Sequence, residues 1–326
     1  MITGIGGFAG SHLAEYLHTI GDVEISGTLS PRGSAANLAA LGEAIGLHRV
    51  DLMETASVRT LLAQVQPDAI YHLAARAAVG ASWQDPAGTL HNNITAQLNL
   101  LQACIELGIA PRVLVVASAD EYGRVRPEDL PVDEDTPLRP VNPYAVSKVA
   151  QDYMGLQYHL SHGLPIVRVR PFNHSGPRQE TGFVIPDFCS QIARIEAGLQ
   201  EPLLRVGNLE AERDLHDVRD TVRAYHLALE HGEPGSVYNV GAERAYAIGE
   251  ILERLLALAH TPVRVEPDPA RMRPSDIPRI VSDCARLRRA TGWAPRYTLE
   301  QTLQDTLDYW RERVGQELSP PSPTTQ

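Results

Sequence analysis

The sequence predicts an α/β fold: a doubly wound, mostly parallel sheet followed by a smaller, mixed α/β C-terminal lobe. Three observations carry that expectation. From the start to about residue 170, short apolar runs alternate with amphipathic stretches, the pattern of β-α units with helices covering both faces of a parallel sheet. Glycines at 4, 7 and 10 stand directly before a helix-like stretch, Ser11 to Leu17, at the head of that series. After Pro171 the regularity breaks into loops, short helices and isolated strand-like runs, as a second lobe built on other rules would require.

The strand candidates are Val23–Gly27, Ala69–Leu73, Val113–Ala117 and Ile166–Val169, with Ser236–Val240 in the second half. Helix candidates lie between them: Ser57–Val65, apolar at 58, 61, 62 and 65, and Ile94–Leu107. Residues 1–171 are expected to form the first lobe, joined by about 215–242. Residues 172–214 and 243–316 are expected to form the second, and the Pro-rich stretch 317–326 reads as a disordered tail. Only Met1, Ile2 and Thr3 precede the glycines. Either the first strand is unusually short, or the chain starts further upstream.

Composition narrows the function classes. The 326 residues can bury a large core, and 43% hydrophobic with 21% charged residues is ordinary for a globular protein. No apolar stretch approaches the ~20 residues of a membrane-spanning helix, and no leader-like segment is visible. Three scattered cysteines, Cys104, Cys189 and Cys284, suit neither a disulfide framework nor a clustered zinc site, so a reducing cytoplasm is the expected home. Scattered histidines such as His12, His72 and His91 read as structural or solvated, and no metal site is expected. A net charge of −11 argues against general nucleic-acid binding but leaves room for a small phosphorylated ligand held by a few arginine forks.

Gly4, Gly7, Phe8, Ala9 and Gly10 form a Gly-x-x-Gly-x-x-Gly turn running into a helix. Alone, such a string fits an ordinary structural turn. Ahead of a β-α series it reads as a Rossmann-like dinucleotide site, where backbone N–H groups and the positive helix end meet a pyrophosphate. The segment after the second strand, Thr28-Leu29-Ser30-Pro31-Arg32, has no carboxylate for a ribose hydroxyl. That points to NADP(H) rather than NAD(H), with Ser30 and Arg32 at the 2′-phosphate, although Arg32 also fits a solvated loop. Asp51 and Leu52 are placed at the adenine, and Leu73, Ala74 and Ala75 supply small side chains beside the cofactor.

Tyr144 and Lys148, four apart, share one helix face. An ammonium beside a phenol is expected to favour the phenolate and bring proton transfer into a useful range. Ser118 ends a buried-strand run, where ligands of parallel sheets bind, and its hydroxyl suits a carbonyl or alcohol oxygen beside the tyrosine.

Together with Asn93, Tyr122-Gly123 and Arg170-Pro171-Phe172-Asn173-His174, these motifs resemble the extended short-chain dehydrogenase/reductase family over nearly the whole chain. Within it, the segments 170–174, 207–220 and 273–278 are most similar to the GDP-4-keto-6-deoxymannose reductases. The resemblance implies that Ser118, Tyr144 and Lys148 are catalytic and that Pro171, Asn173 and His174 lie near nicotinamide and sugar. It further implies that Arg213 and Arg273 grip a diphosphate and that Asp276 meets the nucleotide ribose. Val79, Ser82, Asp120, Glu121, Phe183, Val184 and Asn208 complete the expected substrate contacts. The plain alternative pairs Arg213 with Asp214 or Asp217, and Arg273 with Asp276.

The implied reaction is reduction at C4 of a GDP-linked keto sugar. Its nearest rival is a GDP-mannose 4,6-dehydratase, whose elimination calls for a carboxylate near the serine; here Asp120 stands where such relatives carry Glu. An epimerase and a non-catalytic, NADP-sensing regulator on the same fold are further alternatives. The resemblance also implies a homodimer, paired through a four-helix bundle made by the Asn93–Leu107 helix and the helix of Tyr144.

Overall fold

The computed structural model describes residues 1–272 and 277–318. Its first part runs β1 (Ile2–Thr3), α1 (Phe8–Ile20), β2 (Ile25–Leu29), β3 (Ile45–Arg49), α2 (Thr55–Val65) and β4 (Ala69–His72). There follow α3 (Val79–Gln84), α4 (Pro86–Leu107), β5 (Arg112–Val116), α5 (Pro143–His162) and β6 (Ile166–Pro171). The second part holds β7 (Asn173–Ser175), α6 (Val184–Glu196), β8 (Leu203–Val206), β9 (Glu212–Asp217), α7 (Val218–His231) and β10 (Val237–Val240). It ends with β11 (Ala245–Ala247), α8 (Ile248–Ala257), β12 (Arg264–Pro267), β13 (Arg279–Ile280), α9 (Ala285–Thr291) and α10 (Leu299–Leu318).

Seven parallel strands form the main sheet in the order β10-β6-β5-β4-β1-β2-β3. The order reverses between β1 and β4, and the crevice beyond the carboxyl ends of strands at such a switch point is where ligands bind in open α/β sheets. Strand β1 is short, as two residues pairing with β2 on one side and β4 on the other. Neighbouring backbone groups lengthen its ladder: the Tyr71 N–H donates to Met1 O at 2.9 Å and the Ile5 N–H to Thr28 O at 3.1 Å.

Apolar side chains bury on both sheet faces. Ile2, Leu13, Leu17, Val218, Val222 and Tyr225 join α1 and α7 to one face, and Val58, Leu62, Ile70, Leu100, Val113 and Ile166 join α2 and α4 to the other. A separate cluster centred on Phe188, Ile192, Ile251, Leu303 and Leu307 joins α6, α8 and α10. Among the described residues no helix is long and apolar enough to cross a membrane.

Local chemistry sets the long helices. Asp85 caps α4 by accepting the Gly88 N–H, Pro86 occupies the first turn, and Gly108 ends the helix at φ 65°. The expected helix from 94 is therefore eight residues longer at its start, because the polar first turns carry no apolar signal. In α5, Asn142 caps, Pro143 opens, and Gly163 closes at φ 69°. Glu317 and Leu318 continue α10 instead of opening a disordered tail, since Val314 buries against the same cluster as Leu307. Residues 319–326, the rest of that tail, lie outside the described residues, as do Arg273 and Asp276.

Candidate active site

The turn between β1 and α1 brings the glycines together. Gly4 takes φ +70°, and a Cβ there would lie 3.1 Å from the Ala74 backbone, so the loops after β1 and β4 abut. A Cβ on Gly10 would stand 2.3 Å from Gly4 O, which is why α1 can begin so close to the turn. Among the described residues no side chain caps α1, and its first intrahelical amide bond is Ser11 N–H to Gly7 O. The amides of Phe8, Ala9 and Gly10 therefore point toward the crevice as a ready anion site. Thr3, wholly buried, fixes the opposite wall: its hydroxyl accepts the N–H groups of Leu73 at 3.1 Å and Ala74 at 3.2 Å and meets His72 Nδ1 at 2.9 Å. A glycine floor, open helix amides and a backbone pinned by Thr3 fit a dinucleotide.

Ser30 and Arg32 are exposed in the loop after β2. A residue the sequence reading missed organises this loop: Arg49, the last residue of β3, donates to Gly33 O at 2.8 Å and Pro31 O at 3.3 Å. An arginine ending the third strand, one strand over from Arg32, was the available signal. Asp51 is exposed just beyond β3 and accepts the Met53 N–H, with Leu52 buried beside it.

Strand β5 ends at Val116, and the chain turns at once into a short 3-10 segment, Ala119–Tyr122, capped by Ser118. The Ser118 Oγ accepts the Asp120 N–H at 3.1 Å, which leaves its hydroxyl hydrogen to donate. The phenol of Tyr144, in the first turn of α5, lies beside it, near enough for the serine hydroxyl to act on its protonation. One turn on, the Lys148 ammonium lies 5.8 Å from the Tyr144 ring centre and donates to Val116 O at 2.8 Å. Strand end, turn and helix thus bring the three expected catalytic side chains to one place.

The electrostatics differ from the sequence expectation. Burial pushes the Tyr144 phenol well above its usual value and Asp120 adds to the rise; the neighbouring Ser118 hydroxyl opposes both. Lys148 does not pull the phenol down, because its ammonium turns to the Val116 carbonyl and is itself lowered by burial to about 8, with Glu121 opposing. Tyr144 is a held proton, not a poised phenolate.

Two expected substrate contacts are corrected. Glu121 is wholly buried beneath the serine, accepting the Ser118 N–H at 3.1 Å, because the 3-10 turn rotates it into the core. Ser82 is also wholly buried and donates to Val79 O at 2.7 Å within α3; Val79 itself is half-buried. Asn93, buried in α4, bridges the Arg76 backbone and Ser147 Oγ, fastening the loop after β4 to α5.

Past the sheet, Pro171 is buried and Asn173 exposed at the start of β7. The His174 ring stacks on Phe8 at 5.9 Å between centres, and burial lowers its basicity. Phe183 and Val184 are half-buried at the start of α6, and Asn208 is exposed after β8. Arg213 on β9 donates to Ile277 O at 2.6 Å and Glu212 O at 3.0 Å. Asp214 is occupied by Ser282 and the backbone of residues 242 and 243, and Asp217 by Arg219 and Thr302. Another unforeseen feature is a clasp: Arg178, at φ 72°, forks onto Glu15 and meets His12, whose other nitrogen faces Pro177 O at 2.9 Å. It fastens the segment after β7 to α1.

A parallel sheet with this strand order, a glycine turn at its switch point and a Ser-Tyr-Lys cluster at the neighbouring strand end define an oxidoreductase of the short-chain dehydrogenase/reductase class. The family model described as GDP-mannose 4,6 dehydratase matches residues 1–306, and the chain belongs to that family. It is 39% identical to the GDP-6-deoxy-D-mannose reductase of Pseudomonas aeruginosa over 97% of this chain and 98% of that one. Against the GDP-mannose 4,6-dehydratase of Vibrio cholerae serotype O1 it is 30% identical, over 94% of this chain and 91% of that one. The solved structure of RMD from Pseudomonas aeruginosa complexed with NADPH superposes with a TM-score of 0.83 at 37% identity, covering 96% of this chain and 98% of that one.

Proposed function

We propose that the protein reduces the C4 keto group of GDP-4-keto-6-deoxy-D-mannose, with NADPH, to give GDP-D-rhamnose. The observation that carries the reading is the Ser118 hydroxyl standing beside a Tyr144 phenol that keeps its proton, in a chain 39% identical to a GDP-6-deoxy-D-mannose reductase over almost its full length. When bound, the nicotinamide coenzyme supplies the hydride. The protein supplies the rest. Tyr144 gives its proton to the C4 oxygen as negative charge develops there, and Ser118 donates a hydrogen bond to the same oxygen. Lys148, one turn along α5 and held on Val116 O, contributes a positive charge to the floor of the site. One carbon–hydrogen bond and one oxygen–hydrogen bond form, and the carbonyl π bond is lost. Arg32 and Arg49 beside Ser30 support the choice of the phosphorylated coenzyme, as does the NADPH named for the Pseudomonas structure. Arg213, on β9 and donating to Ile277 O at 2.6 Å, suits the diphosphate, with Arg273 and Asp276 as further candidates.

A dehydratase is the second reading, favoured by Asp120, whose charge reaches the Tyr144 phenol. The deciding experiment supplies the sugars separately. A reductase consumes NADPH with GDP-4-keto-6-deoxymannose, identified by NMR of the product, and leaves GDP-mannose untouched; release of a 4-keto sugar from GDP-mannose alone overturns the assignment.

The reading includes two lobes, with 1–171 and 215–242 around the cofactor and 172–214 and 243–316 around the sugar nucleotide; the separate α6-α8-α10 cluster supports it. It also includes a homodimer. Val146, Tyr153 and Leu160 recur every seven residues on the exposed face of α5, with Leu160 73% exposed, and Leu98 lies exposed on the packed neighbour α4. A second copy presenting the same two helices covers both stripes in a four-helix bundle. The three cysteines stay as buried thiols, which suits a cytoplasmic enzyme.

A further inference from the structure

Beneath the catalytic serine lies a buried charge network that the proton transfer itself does not use. Asp152 follows Lys148 by one turn of α5 and is wholly buried. Its Oδ1 accepts Arg168 Nη1 at 2.7 Å, and its Oδ2 accepts Arg170 Nε at 2.9 Å and Nη2 at 2.7 Å. Arg170 spends its remaining fork on Glu134 O at 3.0 Å and the Tyr122 hydroxyl at 3.2 Å. Glu121 completes the group from the serine turn. Its Oε1 accepts the Ser118 N–H. Its Oε2, fully buried, finds no donor among the described residues: Arg170 Nε stands 3.4 Å away but already donates to Asp152. The Asp152 carboxylate, another acceptor, converges on the same nitrogen: Arg170 Nε lies 2.9 Å from Asp152 Oδ2 and 3.4 Å from Glu121 Oε2.

Two buried carboxyl groups facing each other without a donor between them are held together by a proton. Asp152 accepts three N–H bonds from two arginines, whereas Glu121 has only the shared edge of one, so the proton belongs on Glu121. Of the groups that face Glu121, Asp152 on α5 disfavours its negative charge, whereas the Lys148 ammonium on α5 and Arg170 on β6 favour it; burial, the largest influence, pushes toward the neutral form.

We propose that Glu121 is a positioning residue for Ser118: a neutral carboxylic acid that accepts the serine N–H on one oxygen and donates through the other to Asp152. The tie joins the serine turn to the helix that carries Tyr144 and Lys148, across elements that share no backbone ladder at this point. With the N–H of Ser118 fixed from below and its Oγ accepting the Asp120 amide, the serine side chain is held in place with its hydroxyl hydrogen left to donate. The inference deepens the proposed mechanism and rests on Ser118 and Tyr144 acting together, yet the protonation of Glu121 is testable without any substrate.

Two variants test it. Glu121→Gln copies the neutral acid atom for atom, with an amide oxygen for Ser118 and an N–H for Asp152. Infrared difference spectra, wild type minus E121Q at neutral pH, are expected to show the carbonyl stretch of a protonated carboxyl group; absence of that band overturns the proposal whatever the substrate proves to be. In kinetics with the keto sugar and NADPH, E121Q is expected to keep kcat within about threefold of wild type. Glu121→Ala is expected to lower kcat by about tenfold or more with KM and NADPH affinity near wild type, the size of a lost buried hydrogen bond. A loss in E121Q as deep as in E121A means that the ionised form is required, and an undiminished kcat in E121A means that Ser118 needs no tie; either result refutes it. Should E121A fail to fold by thermal melting, the spectrum and the E121Q kinetics still decide.

Discussion

At the scale of single residues, the site works by controlling where protons sit. Tyr144 keeps its proton because burial and Asp120 outweigh the neighbouring Ser118 hydroxyl, so removing the phenol hydroxyl removes the donor while leaving the cleft intact. Tyr144→Phe is expected to lower kcat by about 10²–10⁴-fold with little change in NADPH affinity, measured by steady-state kinetics and fluorescence titration. Lys148 sits at about 8, below a free lysine, because its charge is desolvated. Its ammonium is therefore complete at neutral pH and lost as pH rises through 8. The kcat/KM profile is expected to fall on that alkaline side, and Lys148→Arg, whose charge is permanent, is expected to move the fall to higher pH; an unmoved limb assigns it to another group. Arg49 holds the loop that carries Ser30 and Arg32. Arg49→Ala should raise the KM for NADPH by about tenfold or more and that for NADH much less, since a charge-assisted contact to a phosphate is worth about 1.5–3 kcal/mol.

At the scale of elements, α5 serves the interior and the outside at once. Its buried face carries Ser147, Lys148, Gln151 and Asp152, while Val146, Tyr153 and Leu160 line the opposite face. Paired substitutions Tyr153→Glu and Leu160→Glu place four charges in a two-fold interface and are expected to turn a dimer into a monomer in sedimentation equilibrium, with the monomer still folded; a wild type that sediments as a monomer removes the interface altogether. The element scale also shows what pattern reading captures and what it loses. Strands β4, β5 and β6 fall within a residue or two of their apolar runs, because a strand buried on both faces is a continuous apolar signal. The first turns of α4 are polar and were invisible to periodicity, although Asp85-Pro86 is a capping signature. Glu121 was placed with the substrate by family resemblance, and the 3-10 segment that follows Ser118 turns it into the core instead.

At the scale of the whole molecule, a polar clasp that depends on neutral histidine fastens the segment after β7 to α1. His12 on α1 faces Pro177 O and Arg178 beyond β7, and burial together with Arg178 lowers it to about 4 from 6.5. Below pH 6.5 the unfolded chain binds the proton that the folded clasp rejects. The contribution is thus present above 6.5 and is lost as pH falls toward 4. Urea unfolding is expected to show wild type losing about 2–3 kcal/mol more than His12→Asn between those limits; parallel profiles would mean that the clasp carries no such proton linkage. His72 and His216, both lowered by burial to about 3, act in the same direction further into acid.

The sequence by itself determined the elements and most of the chemistry-bearing positions. Glycines before a helix, a strand-end serine and a Tyr-x-x-x-Lys pair are local patterns, and local patterns follow from backbone geometry within a few residues of chain. The tertiary structure alone decided which way each polar group faces and what it costs to charge it. That Lys148 turns to Val116 O, that Tyr144 is dried by its surroundings, and that Glu121 meets Asp152 and Arg170 are all consequences of residues distant in sequence. Desolvation and partner geometry are properties of packed space, and no spacing along the chain encodes them.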